Sequence, residues 1–570
     1  MSVIKYSFAL IVIALLSAIQ SCTIKEVIVD VPTQIKTPED VTSAINGLYA
    51  QLGNTGGFKY QGMLMLFLCA DDIYSTEGAD FGTYAKRIYN SVNTAPMWNT
   101  LYFSIANANN LISVLDNLTL DPAFKKTAYG EAYFVRAFCY YYLVRLYGGV
   151  PLRTEITSVN SNFYLPRSSV QKVYEQIFSD FKMASERLPL KVATAQLGRA
   201  TKGAAQALLA QAYLTYGNQL ALKGQQATAE YTNAVLYADS VINSAQYVLL
   251  DNYGDLFDIN KEAGAYAEVI FGLRFTSDPQ RSGQGANGSE LAFRFGTANT
   301  HFVSGNAPNG AGSGSMLAMP WIADYYRKGD YAITGTTPAI DYRNEKAFNQ
   351  RGFNSTQNKY YVTYPNIPGN TIPGSTADGT INFPLIGKYI DPTGQEQRDN
   401  GNDLFIIRYA EVFLLKAEAQ NELSGPASAV AAFNVVRARA RKANGIARTV
   451  PADIPSNTTL TKDAFRLKIF DERGLELIGE GQRWLDLVRM RSPLSASQTM
   501  YEYQFKTVLN VAANFPQTLP TYNTTTKKYS NANAVYAPAL SVTIPKFLLF
   551  PIPTNEINQN PQLGAQNPGW

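Results

Sequence analysis

Histidine is almost missing from this chain: His301, in "TANTHFVSG", is the only one in 570 residues. That excludes Ser-His triads, His-rich metal sites and general-base chemistry run by an imidazole. Catalysis would fall to carboxylates, lysine or tyrosine. Cysteine is nearly as scarce. There are three, with no CxxC and no Cys/His cluster, so neither a metal site nor a cofactor is expected. Cys69 in "MLFLCADD" and Cys139 in "RAFCYYY" sit among apolar neighbours and read as buried free thiols. Excess charge is lacking too. Forty-nine basic against 45 acidic residues leave +4, too little to neutralise a phosphate backbone, so nucleic acid is not an expected partner. With 46% hydrophobic residues, the chain has ample material for a large core.

The N-terminal apolar run "SFALIVIALLSAI" (7 to 19) is shorter than the ~20 residues that span a bilayer core. Preceded by Lys5, it reads as an export signal. It ends in Ser21 and Cys22, which looks like a bacterial lipobox, although Ile19 and Gln20 depart from that pattern. On this reading Cys22 becomes the acylated N-terminus. Each buried CH2 then adds about 0.8 kcal/mol of membrane affinity, so the protein is anchored and not spanning. The alternative is a soluble secreted protein with an incidental cysteine.

What the chain has in quantity is helical pattern. In "TPEDVTSAINGLYAQL" (37 to 52), Thr37 is a natural N-cap, with Pro38 at the first helical position and Glu39 and Asp40 in the first turn. In 97 to 118, Leu101, Ile105, Ala108 and Ile112 form one apolar face, and 130 to 152 carries a stripe from Ala132 to Leu146 that Gly148, Gly149 and Pro151 stop. Helix pairs follow at 201–218 with 231–244 and at 408–425 with 426–445. Their alanines resemble those of tetratricopeptide hairpins without the strict 34-residue spacing; an Ala-rich bundle fits the pattern equally. Between 251 and 400 the composition turns to Gly, Asn, Ser, Thr and Pro, and "EVIFGLRF" and "LAFRF" look like strands, as does "PALSVTIPKFLLFPIP" near the C-terminus. The expected fold is mainly α, with tetratricopeptide-like hairpins supporting an irregular, loop-rich lobe with short strands.

The segment "ERGLELIGEGQRWLDLVRM" (472 to 490) concentrates charge. On an ideal helix Glu472, Glu476, Glu480 and Arg483 share one sector opposite Leu477, Ile478, Trp484, Leu485 and Val488, with a possible break at Gly479 and Gly481. Carboxylates on one helix face point the same way, whereas a glycosidase needs two on opposite sides of the sugar. A partly buried ion network that fixes helix orientation is the better reading.

This segment also resembles the C-terminal signature of the SusD/RagB family. The likeness continues in "EAYFVRAFCYYYLVRLYGGVPL", in "IIRYAEVFLLKAEA" (406 to 419) and in the ending "LFPIPTNEINQNPQLGAQNPGW", where Trp570 replaces the usual Tyr. The resemblance implies a signal peptide (1–21), a tether (22–37) and one domain (38–570). Its helical scaffold would lie mainly in 38–250 and 402–495, and its ligand-binding lobe mainly in 251–401 and 496–570. It further implies a non-catalytic lipoprotein of the outer-membrane surface. Such a protein binds oligosaccharides, or peptides in RagB-like branches, and serves a SusC-like TonB-dependent transporter. A surface glycoside hydrolase is the remaining alternative; it would need a partner such as Asp255, Asp258 or Asp324 facing Asp71 and Asp72.

The resemblance places the ligand surface in the segment after the first long helix and in the lobe. A sugar offers CH-rich faces and hydroxyl rims, which suit aromatic platforms beside carboxylate, amide and Arg groups. "CADDIYSTEGADFGTYAKRIYNSVNTAPMWNT" (69 to 100) supplies Asp72, Tyr74, Tyr84 and Trp98, and the lobe supplies Trp321 in "MPWIADYYRKGD". Trp98 and Trp321 read equally as core residues.

Overall fold

The structure, a computed structural model, describes residues 35–75, 79–157, 162–277, 288–296, 313, 315–326, 329–333, 339–349, 351–354, 359–364, 381–391, 398–443, 445–509, 518–523, 528–534 and 546–570. The signal segment, the tether as far as residue 34, Cys22 and His301 lie outside them.

Helix α1 (Pro38–Leu52) starts where its cap dictates: Asp40 N donates to Thr37 Oγ1 at 3.2 Å and the Asp40 carboxylate accepts from Thr37 N at 2.9 Å. Helix α2 (Ser91–Leu115) begins six residues before the start at Met97 that apolar spacing suggests. Asn90 caps it, accepting from Val92 N at 2.9 Å. Helix α3 (Pro122–Tyr147) likewise begins early, at a proline behind the Asp121 cap, and stops at Gly148 with φ +78°. Then come α4 (Val170–Arg187), α5 (Lys202–Leu222), α6 (Thr228–Asn243), the short α7 (Pro320–Tyr325), α8 (Tyr409–Ser424), α9 (Pro426–Ala440), α10 (Lys462–Glu476) and α11 (Arg483–Arg489).

Helices α2 to α6 form a row in which each packs on the next; α8 and α9 extend the row beyond α6, and α10 packs on α8. The chain leaves this row after α6 and rejoins it at α8. Two amide-to-carboxylate bonds lock the return. Gln211 Nε2 donates to Glu411 Oε1 at 2.9 Å and Asn218 Nδ2 to Glu418 Oε1 at 2.7 Å. Both bonds are buried and repeat after seven residues on α5 and on α8, so a slip of α5 would strip both amides of their partners, while Glu411 and Glu418 stay paired to Arg473 and Arg489.

The lobe is inserted in the sequence between α6 and α8, which pack on each other. Strand β1 (Ile73–Tyr74) belongs to the N-terminal part of the chain. In the lobe lie β2 (Val269–Leu273), β3 (Leu317–Ala318), β4 (Phe348–Asn349), β5 (Arg351–Asn354), β6 (Lys359–Tyr364), β7 (Ile381–Ile386) and β8 (Leu404–Arg408). A four-stranded sheet has the order β4-β7-β6-β5, and the buried antiparallel pair β2 and β8 leads straight into α8. "LAFRF" (291–295) forms a helical turn where a strand was expected. The reason is local: Arg294 and Glu290 pair at 2.6 Å across one helical turn, a contact strand geometry does not permit.

The charged segment 472–490 breaks after Glu476. Gly479 (φ +72°) and Gly481 (φ +75°) reverse the chain before α11 begins at Arg483. Its glutamates are buried more deeply than expected. Glu472, Glu476 and Glu480, joined by Glu268 and Asp341, meet Arg343, Arg408, Arg437, Arg439 and Lys388. These are five carboxylates against five cations, all with side chains at most 2% exposed. Arg483 departs from the sector that ideal helix geometry assigns it, because the glycine turn aims it elsewhere.

Candidate functional site

Arg483 reaches Asp71. Its Nε lies 2.8 Å from Oδ1 and its Nη2 3.0 Å from Oδ2, a two-pronged ion pair that joins α11 to the 69–100 segment. Just beyond Asp71, β1 pairs antiparallel with β3, Ile73 opposite Ala318 and Tyr74 opposite Leu317, and Met319 N donates to Asp72 O at 2.8 Å. The helical body and the lobe therefore meet at a seam built from Asp71, Asp72, Tyr74 and the start of α7.

Trp321 opens α7 at this seam. Its indole N–H donates to Asp71 O at 2.9 Å, which fixes the ring, and the Arg483 guanidinium lies 5.5 Å from the ring centre. Tyr325 stands perpendicular to Trp321, ring centres 6.3 Å apart, with its hydroxyl donating to Asp471 Oδ2 at 2.7 Å. Both rings are half-buried, so each keeps part of its surface in water. The carboxyls carry unusual protonation. Burial, and then the neighbouring Asp71, push Asp72 up to about 7 against the pull of Arg483. Asp72 Oδ1 has no hydrogen-bond partner among the described residues, although the side chain is buried. Burial pushes Asp471 up to about 6, opposed by the Tyr325 hydrogen bond and Arg483. The seam thus offers two partly open rings beside the half-buried Asp471 carboxyl, a set able to stack on a ring face and exchange hydrogen bonds with hydroxyls, while Asp72 is enclosed.

The structure brings Asp72, Tyr74 and Trp321 to the seam, where Asp72 and Tyr74 are buried and only Trp321 of the three is half-open, and it sends Tyr84 and Trp98 elsewhere. Tyr84 is 1% exposed; it accepts from Gln61 Nε2 at 2.5 Å, donates to Asn93 O at 2.7 Å and stacks on Tyr89. With both faces covered, it is not a platform on the surface. Trp98 is 2% exposed and packs edge-on to Tyr147 at 5.1 Å, so it staples α2 to α3. Only its rim reaches a separate cleft. Tyr325 and Arg483 went unassigned in the sequence, although each stands in a quoted stretch. Asp71 is neutralised by Arg483 and Asp255 pairs with Lys261 at 2.8 Å, so neither is a free carboxylate poised across a cleft. Among the described residues no group of three His, Cys, Asp or Glu is placed to hold a metal ion, and no helix is long and apolar enough to cross a membrane.

A family model described as "SusD family" matches residues 267–570, more than half of the chain. The chain belongs to the SusD family. A second model, described as "Starch-binding associating with outer membrane", matches residues 25–214. SusD-like protein P2 of Formosa agariphila is 29% identical over 477 residues, covering 80% of this chain and 84% of that protein. A SusD homolog from Bacteroides thetaiotaomicron superposes with a TM-score of 0.75 at 23% identity, over 94% of this chain and 98% of the other. A laminarin binding SusD-like protein superposes with a TM-score of 0.64 at 20% identity, over 94% and 100%. The SusD fold of this chain is therefore mostly helical, as its sequence predicts, with the helical row and inserted lobe described above.

Proposed function

We propose that this SusD-family protein is a non-catalytic receptor of the outer-membrane surface that binds oligosaccharides and delivers them to a SusC-like TonB-dependent transporter. The observation that carries the reading is the seam: Trp321, pinned through its N–H to Asp71 O, and Tyr325 at right angles to it, beside Asp72 and Asp471. Aromatic faces suit the CH side of a pyranose, and a carboxyl group beside them suits its hydroxyls. Family membership and the fold shared with a laminarin binding protein support the ligand class. The ion pair that occupies Asp71 favours binding over hydrolysis. The transporter partner and an acyl anchor at Cys22 complete the proposal.

The test is calorimetric titration of the purified full-length chain with laminari-, malto-, manno- and xylo-oligosaccharides, with product analysis of the same mixtures. Binding of one class without cleavage, weakened about tenfold by Trp321→Ala, is the expected result. Binding of peptides with no response to any glycan would move the chain to the peptide-receptor branch. Shortened oligosaccharides in the mixture would make it an enzyme.

A further inference from the structure

Aromatic residues are abundant in this chain, yet among the described residues only three have mostly exposed side chains: Phe103 at 56%, Phe163 at 53% and Tyr164 at 51%. All three line one cleft of about 810 Å3, and that cleft shares no residue with the seam. Phe103 projects from the outer face of α2, while Phe163 and Tyr164 come from the connection between α3 and α4. Two separate parts of the chain therefore bring the same residue type to one place. The C-terminal helix Thr554–Gln559 forms the opposite wall, and the rim of Trp98 lies at the floor against Tyr102, ring centres 4.9 Å apart.

These rings do not hang on a loose loop. The Arg153 guanidinium donates to Asn162 O at 3.3 Å and also to Phe163 O; Tyr164 N donates to Asn162 Oδ1 at 3.0 Å. Asn560 Nδ2 donates to Leu165 O at 2.8 Å and Tyr102 Oη to Pro151 O at 2.8 Å. Leaving three fixed apolar faces in water forgoes burial free energy, which a ligand would recover.

The polar rim says which ligand. Arg153 contributes one positive charge and Glu556 one negative, and Glu556 has no ion pair among the described residues. Exposed amides, Asn99 and Gln559, stand beside them. Charges of opposite sign with amides between them suit a neutral ligand rich in hydroxyls. The volume lies in the range of small-ligand clefts, about 300–1,000 Å3. A protein partner would ask for a broad contact of about 800 Å2 on this side. We infer that the cleft between α2, the α3–α4 connection and the C-terminal helix is a second oligosaccharide-binding site, with Phe103, Phe163 and Tyr164 as its platforms and Glu556 as a hydroxyl acceptor. The inference rests on the receptor reading above and adds a site that holds a longer or second glycan chain apart from the seam.

The experiment titrates the full-length chain with the same oligosaccharide panel, comparing wild type, the Phe103→Ala/Tyr164→Ala double variant, Glu556→Gln and Trp321→Ala, with thermal unfolding of each. The substituted rings are exposed, so the double variant should unfold like wild type. The expected result is a fall of about tenfold in affinity, or loss of one of two binding events, for the double variant, with a smaller loss for Glu556→Gln and a binding event that survives Trp321→Ala. A double variant whose isotherm matches wild type while Trp321→Ala abolishes all binding would overturn the second site and leave the receptor reading standing. Wild type that binds no oligosaccharide would overturn both.

Discussion

Arg408 bridges the break in the charged segment: its Nη1 lies 3.0 Å from Glu476 Oε1, and both side chains are fully buried. The same guanidinium holds Glu480 through Nε at 2.7 Å and Glu268 through Nη1 at 2.9 Å. One cation at the start of α8 therefore ties the end of α10, the glycine turn and the residue that leads into β2 together. Removing it would leave five carboxylates facing four cations without water. Arg408→Ala is expected to destabilise the protein by about 3–5 kcal/mol in denaturant unfolding. Arg408→Lys keeps the charge but not the fork, and should recover only part of that loss.

The buried carboxyls predict opposite pH trends. Burial alone would raise Glu476, but Arg439, Arg408 and Arg343 overcome it and hold it at about 2, below its ordinary 4.5. Its stabilisation is present above about pH 4.5 and is lost as pH falls towards 2. Asp72 goes the other way. With its folded value at about 7 against 3.8, its contribution is fully present below 3.8 and is lost as pH rises through 7. Asp72→Asn removes that loss. Relative to wild type, the variant should gain about 1–3 kcal/mol more stability at pH 8 than at pH 5, read from denaturant curves at the two pH values.

Local signals carried much of this architecture. Thr37 and Pro38 set the start of α1, and Gly148 ends α3 where the sequence says. The glutamates of 472–480 read as structural ion-pairing groups, which is how the structure uses them. Their depth was not legible, because Arg343, Arg408, Arg437 and Glu268 arrive from distant parts of the chain. The turn at Gly479 and Gly481 sends Arg483 to Asp71, a partner that helix geometry cannot name. Phe103 shows what pattern does offer: it lies off the Leu101–Ile105–Ala108 stripe and faces out, a signal available before any coordinates.

Tyr84 separates a structural aromatic from a binding one. Residue type and a place in the 69–100 segment point to a sugar platform, but the ring is enclosed and its hydroxyl is used twice, by Gln61 and by Asn93 O. Tyr84→Phe deletes that hydroxyl while keeping the ring and its stacking on Tyr89. Gln61 Nε2 would retain its bond to Asn93 O at 2.7 Å, so the loss should stay near one hydrogen bond, about 0.5–1.5 kcal/mol in denaturant unfolding. Oligosaccharide affinity should not change, because no face or polar atom of Tyr84 reaches the surface. A drop in affinity without a drop in stability would mean that the 79–90 segment opens to admit ligand. Equal affinity with reduced stability assigns Tyr84 to the scaffold and leaves recognition to rings that already face water.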